Sequence, residues 1–149
     1  MKNSKGMSTI VATLIVILLV IVAVGLVWVV VRNVVNEGVE QIDMGSKCNL
    51  VTIQPTVFTN SSGTVYSVTV ERSAGGDEIA GIKMIFTNAT GDSNYVYTRS
   101  GNIAPLATVT EPSITVTTPT NLNKVEIVPY FTTESGEEYI CTGGAYKEK

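Results

Sequence analysis

The most prominent pattern in the chain is a long apolar run near its N-terminus. Between Gly6 and Arg32 there is no charged side chain, and nearly every position is Val, Ile, Leu or Ala, with small polar residues only at the start. At a rise of about 1.5 Å per residue, a helix of this length exceeds the roughly 30 Å hydrocarbon core of a bilayer. The pattern therefore predicts a helix that can span a membrane.

The helix is predicted to continue beyond the apolar run as an amphipathic segment. Apolar or small residues recur at spacings of three and four, whereas the charged and amide side chains face elsewhere. The apolar stripe consists of Val31, Val34, Val35, Gly38, Val39 and Ile42. Gly45 is the predicted end of the helix, since glycine readily adopts the left-handed conformation that caps helices.

After the predicted helix, the periodicity changes from helical to alternating. In VYSVTVER (residues 65–72), for example, apolar side chains alternate with polar ones. Turns rich in Gly, Pro, Asn and Ser separate such segments, and Thr133–Gly136 suits the turn of a closing hairpin. Strands are predicted at Cys48–Ile53, Val65–Arg72, Ile82–Asn88, Tyr95–Thr98, Ile114–Thr118, Val125–Phe131 and Tyr139–Cys141. About seven short strands in roughly 100 residues predict an antiparallel β-sandwich, Ig-like in general shape.

The predicted fold is thus α+β, with a long N-terminal hydrophobic helix followed by an antiparallel β-sandwich head. We expect three parts: a cleaved leader of residues 1–6, a helix of residues 7–45 and a head of residues 46–149. A chain of 149 residues has room for one small domain and one further element. Lys2 and Lys5 precede the apolar run and Glu37, Glu40 and Asp43 follow it, so the positive-inside rule predicts a cytoplasmic N-terminus and an extracellular head.

The residues before the apolar run have the layout of a processing site. A short basic leader ends in Lys5-Gly6, and Met7 follows directly before the aliphatic run. An ordinary secretory signal instead has its A-x-A-like cleavage site after the hydrophobic stretch. The arrangement resembles the class III signal peptide of archaeal type IV pilins and archaellins. Val11 stands where bacterial type IV pilins carry a Glu at the fifth position of the mature chain, which argues against the bacterial subtype.

The resemblance implies how the chain is processed and what it does. A prepilin-peptidase-like enzyme would cut the Gly6–Met7 bond and leave the helix on the mature protein. The expected function is that of a pilin, a structural subunit of an archaeal type IV pilus-like surface filament used for adhesion. The expected partners are further copies of the chain, the membrane before assembly and the pilus assembly machinery. The alternatives are an archaellin of a motility filament and a monomeric, signal-anchored surface binding protein.

Cysteines and sequons are consistent with an exported head. Cys48 and Cys141 bracket the head, and a cysteine pair in an exported domain favours a disulfide, with two buried thiols as the alternative. Asn60-Ser61-Ser62 and Asn88-Ala89-Thr90 match the N-glycosylation sequon, and the surroundings of the first are predicted to be the clearer loop. Chance occurrence in a head rich in Ser and Thr is the alternative to glycosylation.

The available side chains argue against an enzyme, a cofactor or a nucleic-acid partner. The chain has no His, which excludes His-based triads and His metal ligands. The adjacent acidic pairs Asp77-Glu78 and Glu137-Glu138 lie beside glycines and point to opposite faces of an extended chain, which suits solvated turns. Asp92-Ser93-Asn94 offers oxygen ligands for Ca²⁺ but lacks EF-hand spacing, so we expect no metal. A net charge of −3 without a basic stripe disfavours binding to nucleic acid.

Substituting Gly6→Val is expected to leave an unprocessed precursor in the membrane and to stop assembly. Glycine has no Cβ, so the residue before the cleaved bond places no side chain against the peptidase, whereas the branched side chain of valine would need space there. Mass spectrometry of the N-terminus of surface material measures the outcome. If the substituted protein is processed normally, the assigned cleavage site is wrong.

Overall fold

The computed structural model describes residues 5–149, with side chains described at residues 10–36 and 38–149. Within this range, helix α1 (Lys5–Leu50) precedes eight strands. The strands are β1 (Ile53–Ser62), β2 (Val65–Arg72), β3 (Gly81–Asn88), β4 (Asn94–Ser100), β5 (Thr108–Thr115), β6 (Leu122–Thr132), β7 (Glu138–Ile140) and β8 (Ala145–Glu148). The prediction of an α+β fold, with a long apolar helix before an antiparallel β-rich head, is confirmed. The chain divides into two compact units, one ending at Gln41 and one from Ile42 to Lys149.

The first unit consists of the apolar part of helix α1. Its many β-branched residues have modest helix propensity, but in lipid only a helix or a closed barrel satisfies every backbone hydrogen bond. The hydroxyl of Thr13 donates a hydrogen bond to the carbonyl oxygen of Ile10 at 2.8 Å. This polar side chain of the run therefore has a partner within the helix itself.

Helix α1 ends at Leu50 and not at Gly45 as predicted. The strand predicted at Cys48–Ile53 is wrong except at Ile53, because residues 48–50 form the last helical turn, and β1 runs from Ile53 to Ser62, beyond the predicted bounds. The reason is tertiary: Met44, before the glycine, and Cys48, after it, both pack in or against the core of the second unit. Contacts on both sides of Gly45 stabilise the helix beyond the glycine that could have capped it.

The head contains two antiparallel sheets whose apolar faces share one core. The first sheet has the strand order β1-β2-β5, and the second has the order β4-β3-β6-β7, with β8 also paired to β6. Phe58 and Tyr66 of the first sheet lie 5.9 and 6.2 Å from Phe86 of the second, measured between ring centroids. These aromatic contacts, together with buried aliphatic side chains from both sheets, hold the layers together.

Strand β2 and the closing hairpin have the predicted positions. Strand β2 has the predicted bounds, and its residues alternate between buried and partly buried positions. In the hairpin that joins β6 to β7, the N–H of Thr133 donates to the carbonyl oxygen of Glu137 at 2.9 Å. Gly136 in this turn has a φ of +86°, which glycine adopts without steric cost.

Two strands at the edges of the sheets differ from the prediction. Strand β5 begins at Thr108, six positions before the predicted start at Ile114, and it contains Pro112. Since β5 pairs only with β2, it is an edge strand, where a proline that cannot donate a hydrogen bond is tolerated. Strand β8 has no counterpart in the prediction, because its side chains are mostly exposed and show no apolar alternation.

Arg72 is the buried charged residue among those described, with 1% of its surface exposed. Its guanidinium donates hydrogen bonds to the carbonyl oxygen of Ile103 at 2.7 Å and to the side-chain oxygen of Asn102 at 3.0 Å. The same Asn102 oxygen also accepts a hydrogen bond from the N–H of Ile79. The remaining guanidinium bonds are to the carbonyl oxygens of Gly75, Gly76 and Asp77. One side chain therefore organises the loop after β2 and the loop after β4.

The loop that Arg72 organises lies against the C-terminal end of helix α1. A Cβ atom added at Gly76 would lie 2.8 Å from the carbonyl oxygen of Leu50, and Gly76 has a φ of +72°. Next to it, the N–H of Ser73 donates to the carbonyl oxygen of Thr52 at 2.9 Å. Glycine is needed at position 76 because both the space and the backbone conformation exclude a larger residue.

Substituting Arg72→Met is expected to lower the free energy of unfolding by about 3–5 kcal/mol, because it leaves several carbonyl oxygens without their donors. Chemical denaturation of the full chain, followed by circular dichroism, measures this change. The matched control is Arg99→Met, since Arg99 forms an ion pair with Glu111 at 2.7 Å but is partly exposed. The control should lose only about 0.2–1 kcal/mol. Equal losses for both variants would contradict the organising role of Arg72.

Candidate functional site

Helix α1 presents a continuous apolar surface to its surroundings. Every described side chain from Ile10 to Asn36 is exposed. Helix α1 is also long and apolar enough to cross a membrane, with a mean hydropathy of 3.5 in its most apolar window and no part of that window buried. Apolar surface left in water costs roughly 25 cal/mol per Å². Lipid or protein must therefore cover this surface, and the helix can serve as a membrane anchor.

The apolar surface extends around the whole circumference of the helix. Four consecutive side chains point in different directions, because each residue turns the helix by about 100°. Ile15, Val16, Ile17 and Leu18 are exposed to 54, 58, 55 and 63%. A helix that is apolar on all sides is typical of a membrane span or of the centre of a helical assembly. It is not the surface of a helix that packs one face on a soluble domain.

Gly25 and Trp28 are the smallest and the largest residues in the middle of this surface. A Cβ atom added at Gly25 would meet nothing within 4 Å, so packing within the chain does not require glycine there. Small residues in apolar helices allow a neighbouring helix to approach closely. A shallow apolar groove on this stretch is lined by Ala23, Val24, Val27, Trp28 and Val31. The helix thus offers both a small residue and a bulky one for contact with a neighbour.

The predicted cleavage bond lies within helix α1. Both Gly6 and Met7 have helical backbone in the described range Lys5–Leu50. The first four residues of the predicted leader, Met1–Ser4, lie outside the described residues. A peptidase would have to unwind this part of the helix, and the low helix propensity of Gly6 reduces the free-energy cost of doing so. Cleavage at this bond remains a prediction.

A disulfide joins Cys48 to Cys141, as predicted. The two Cα atoms are 5.5 Å apart, and the cysteines are separated by 93 positions in the chain. The bond links the last turn of helix α1 to the segment that directly follows β7. Closing a loop of this size in the unfolded chain stabilises the folded state by about 4–5 kcal/mol in the chain-entropy description.

The two sequons lie near strand ends. Asn60 belongs to β1, so the prediction that its surroundings form a loop is wrong, and its amide nitrogen donates to the carbonyl oxygen of Gly63 at 2.8 Å. Asn88 is the last residue of β3, and its amide nitrogen donates to the hydroxyl of Thr90 at 2.8 Å. Both asparagines are partly buried beside a turn. Glycosylation of either remains a prediction.

The acidic candidates do not form a cluster in the described part of the chain. No group of three or more His, Cys, Asp or Glu residues is arranged there to hold a metal ion. Glu138 pairs instead with Lys83 at 2.7 Å. The carbonyl oxygen of Asp77 accepts a hydrogen bond from Arg72, as described above. Sequence analysis did not predict the burial of Arg72, since one arginine at the end of an alternating strand carries no signal of burial.

Comparison with known proteins identifies no family for this chain. No protein-family model matches it, and no curated protein does. Among solved structures, a match is the X-ray structure of Northeast Structural Genomics Consortium target SoR45. The identity is 16%, the match covers 66% of this chain and 83% of that chain, and the TM-score is 0.30. A likeness at this TM-score carries no argument about fold or function.

Replacing both cysteines by alanine is expected to lower the free energy of unfolding by about 2–5 kcal/mol, because the unfolded chain regains the freedom that the disulfide removes. Chemical denaturation measures the loss, and reduction of the unsubstituted protein should produce a similar one. Alkylation followed by intact-mass analysis is the direct check: no thiol should react before reduction and two should react after it. Two reactive thiols in protein isolated without reductant would contradict the bond.

Proposed function

We propose that this chain is a structural subunit of an archaeal type IV pilus-like surface filament, assembled through helix α1. The observation that carries the proposal is the charge-free apolar surface that extends around the helix from Ile10 to Val31. In this proposal the helix lies in the membrane before assembly. It then packs against the helices of other copies, while the acidic head remains in contact with water.

Assembly through the helix is supported by a comparison of the apolar surface that the helix and the head expose. Outside the membrane, one copy of an all-round apolar helix would remain in water, whereas many parallel copies would cover each other. The exposed large apolar side chains of the head are scattered by comparison: Val57, Val96, Leu106, Ile140 and Tyr146. Single exposed apolar residues of this kind are common on soluble domains. The helix therefore contributes far more apolar contact area than the head.

The leader supports assembly over simple anchoring. A monomeric surface protein held by this helix would need no processing site, whereas Lys5-Gly6 directly before the run resembles one. We favour an adhesive pilus over a motility filament because the head is one small domain. Loss of surface attachment on deletion of the chain, with swimming retained, would distinguish the two filaments. The reverse result would favour the motility filament.

Substituting Leu18→Lys is expected to abolish filaments while the head remains folded. Leu18 lies in the middle of the apolar run, and an unpaired ammonium buried among packed helices costs several kcal/mol. Electron microscopy of cells measures filaments, and the disulfide of the variant reports folding of the head. The matched control is Leu18→Met, which conserves volume and apolar character and should assemble normally. Normal filaments from the lysine variant would leave the helix as a membrane anchor only.

A fragment of residues 42–149, which lacks the apolar run, tests whether the head can assemble without the helix. It retains Met44 and Cys48, so it keeps the core and the disulfide of the head. Without the apolar run, it should be a soluble monomer in light scattering. A fragment that forms filaments unaided would move the assembly interface to the β-sheets.

A further inference from the structure

The head contains a cavity beside the turn that joins β1 to β2. Its volume is about 440 Å³, within the range of roughly 300–1,000 Å³ that is typical of small-molecule sites. The turn between β1 and β2 and the loop between β5 and β6 contribute most of the residues around it. The polar side chains of the lining belong to Asn60, Thr64, Tyr66, Thr120, Asn121 and Lys149.

Tyr66 brings a hydroxyl without a protein partner to this cavity. The residue is only 2% exposed, and its ring packs against Phe58 and Phe86, with 5.7 and 6.2 Å between ring centroids. Within the described part of the chain its hydroxyl forms no hydrogen bond, yet the hydroxyl is not fully enclosed, as the unpartnered Nε of Arg72 is. Since Tyr66 lines the cavity, the hydrogen-bond partner of this hydroxyl must come from there.

Further polar groups of the lining are available to a ligand. In the described chain, the side chains of Thr64, Thr120 and Asn121 form no hydrogen bond. Asn60 uses its amide nitrogen, which donates to the carbonyl oxygen of Gly63 at 2.8 Å, and this leaves its side-chain oxygen as an acceptor. Hydroxyl and amide groups both donate and accept hydrogen bonds. The cavity therefore offers donors and acceptors from several directions, which is what fixes the orientation of a small ligand.

Backbone hydrogen bonds hold the walls of the cavity in place. The N–H of Val116 donates to the carbonyl oxygen of Thr64 at 2.8 Å and so connects the β5–β6 loop to the β1–β2 turn. The N–H of Ala89 donates to the carbonyl oxygen of Asn121 at 3.2 Å. Asn121 has a φ of +58°, which asparagine adopts more readily than most residues. A preformed site of this kind loses less conformational entropy on binding than a flexible one.

The chemistry of the lining indicates which class of ligand fits. No Asp or Glu among the described residues lines the cavity, so a cation would find no opposite charge there. Lys149 is the cationic side chain of the lining, whereas a phosphate group is usually bound by several donors with positive charge, and the chain as a whole has a net charge of −3. An apolar ligand would leave the hydroxyls and amides without partners. A ligand with many uncharged hydroxyl groups satisfies them, and a saccharide is such a ligand.

We propose that this cavity binds a saccharide unit, with the hydroxyl of Tyr66 and the amide of Asn121 among its hydrogen-bonding partners. Binding itself does not depend on the filament, and only its use for attachment to a surface that carries glycans rests on the proposed function. A filament would present one such site on every copy. Many weak sites that engage together bind far more tightly than one, so a single site does not need high affinity.

The first experiment measures binding of oligosaccharides to the full chain in a detergent whose head group is not a sugar. The probes are immobilised oligosaccharides of neutral hexoses, of N-acetylhexosamines and of uronic acids, and titration calorimetry then measures the affinity of those that bind. We expect saturable binding to a neutral oligosaccharide. Binding to none of the probes, or binding only to uronic acids that disappears at high salt, would overturn the proposal. Because the measurement does not require filaments, binding by a chain that forms none would retain the site and reject the filament.

The second experiment locates the saccharide with variants that leave the head folded. Tyr66→Phe removes the hydroxyl and keeps the ring, so the affinity should fall about tenfold while the melting temperature does not fall. Asn121→Gly removes the amide, permits the same positive φ and should lose affinity as well. The matched control is Tyr130→Phe, because Tyr130 is also buried but its hydroxyl donates to the hydroxyl of Ser100 at 3.4 Å, and it should bind as the unsubstituted protein does.

Two results of this comparison would overturn the proposal. Unchanged affinity in Tyr66→Phe or in Asn121→Gly would place the saccharide elsewhere on the chain. A lowered melting temperature of Tyr66→Phe would show that the hydroxyl serves folding and not binding.

Discussion

Removal of the apolar surface of helix α1 from water is the constraint on which the rest of the protein depends. From Ile10 to Val31 the helix has no charged side chain, and every side chain of this stretch is exposed. At roughly 25 cal/mol per Å², this uncovered area outweighs any other single contribution that the chain could make to association. Two environments can cover it, the bilayer and other copies of the helix. The proposed function uses both in succession.

The head must remain folded when the helix passes from one environment to the other. Its core is complete within the second unit, since Met44 at the end of helix α1 is buried together with side chains of both sheets. The disulfide between Cys48 and Cys141 joins the helix end covalently to the β-sheet region. Arg72 adds hydrogen bonds to the loop that lies against Leu50. Stability of the head therefore comes from three kinds of interaction that do not require the apolar run.

The same arginine orders two loops of the head. Its side chain and backbone fix the loop that carries Leu106, so a stabilising network also positions an exposed apolar residue. A buried guanidinium needs acceptors for its N–H groups, and both of its terminal nitrogens find them in the loops after β2 and β4, whereas Nε has no partner among the described residues. The loops are ordered as a consequence.

The sequence alone determined the division into an apolar helix and a β-rich head, because hydrophobic periodicity depends on residues that are close in the chain. It also predicted the cysteine pair and the bounds of β2, where alternation is regular. Tertiary structure alone decided that the helix continues past Gly45, that β8 pairs with β6, and that Arg72 is buried. Each of these depends on partners far away in the sequence: the core around Met44, an exposed edge of β6 and the carbonyl oxygens of distant loops. Local propensity does not contain that information, since the free energy that settles these positions comes from contacts that exist only in the folded chain.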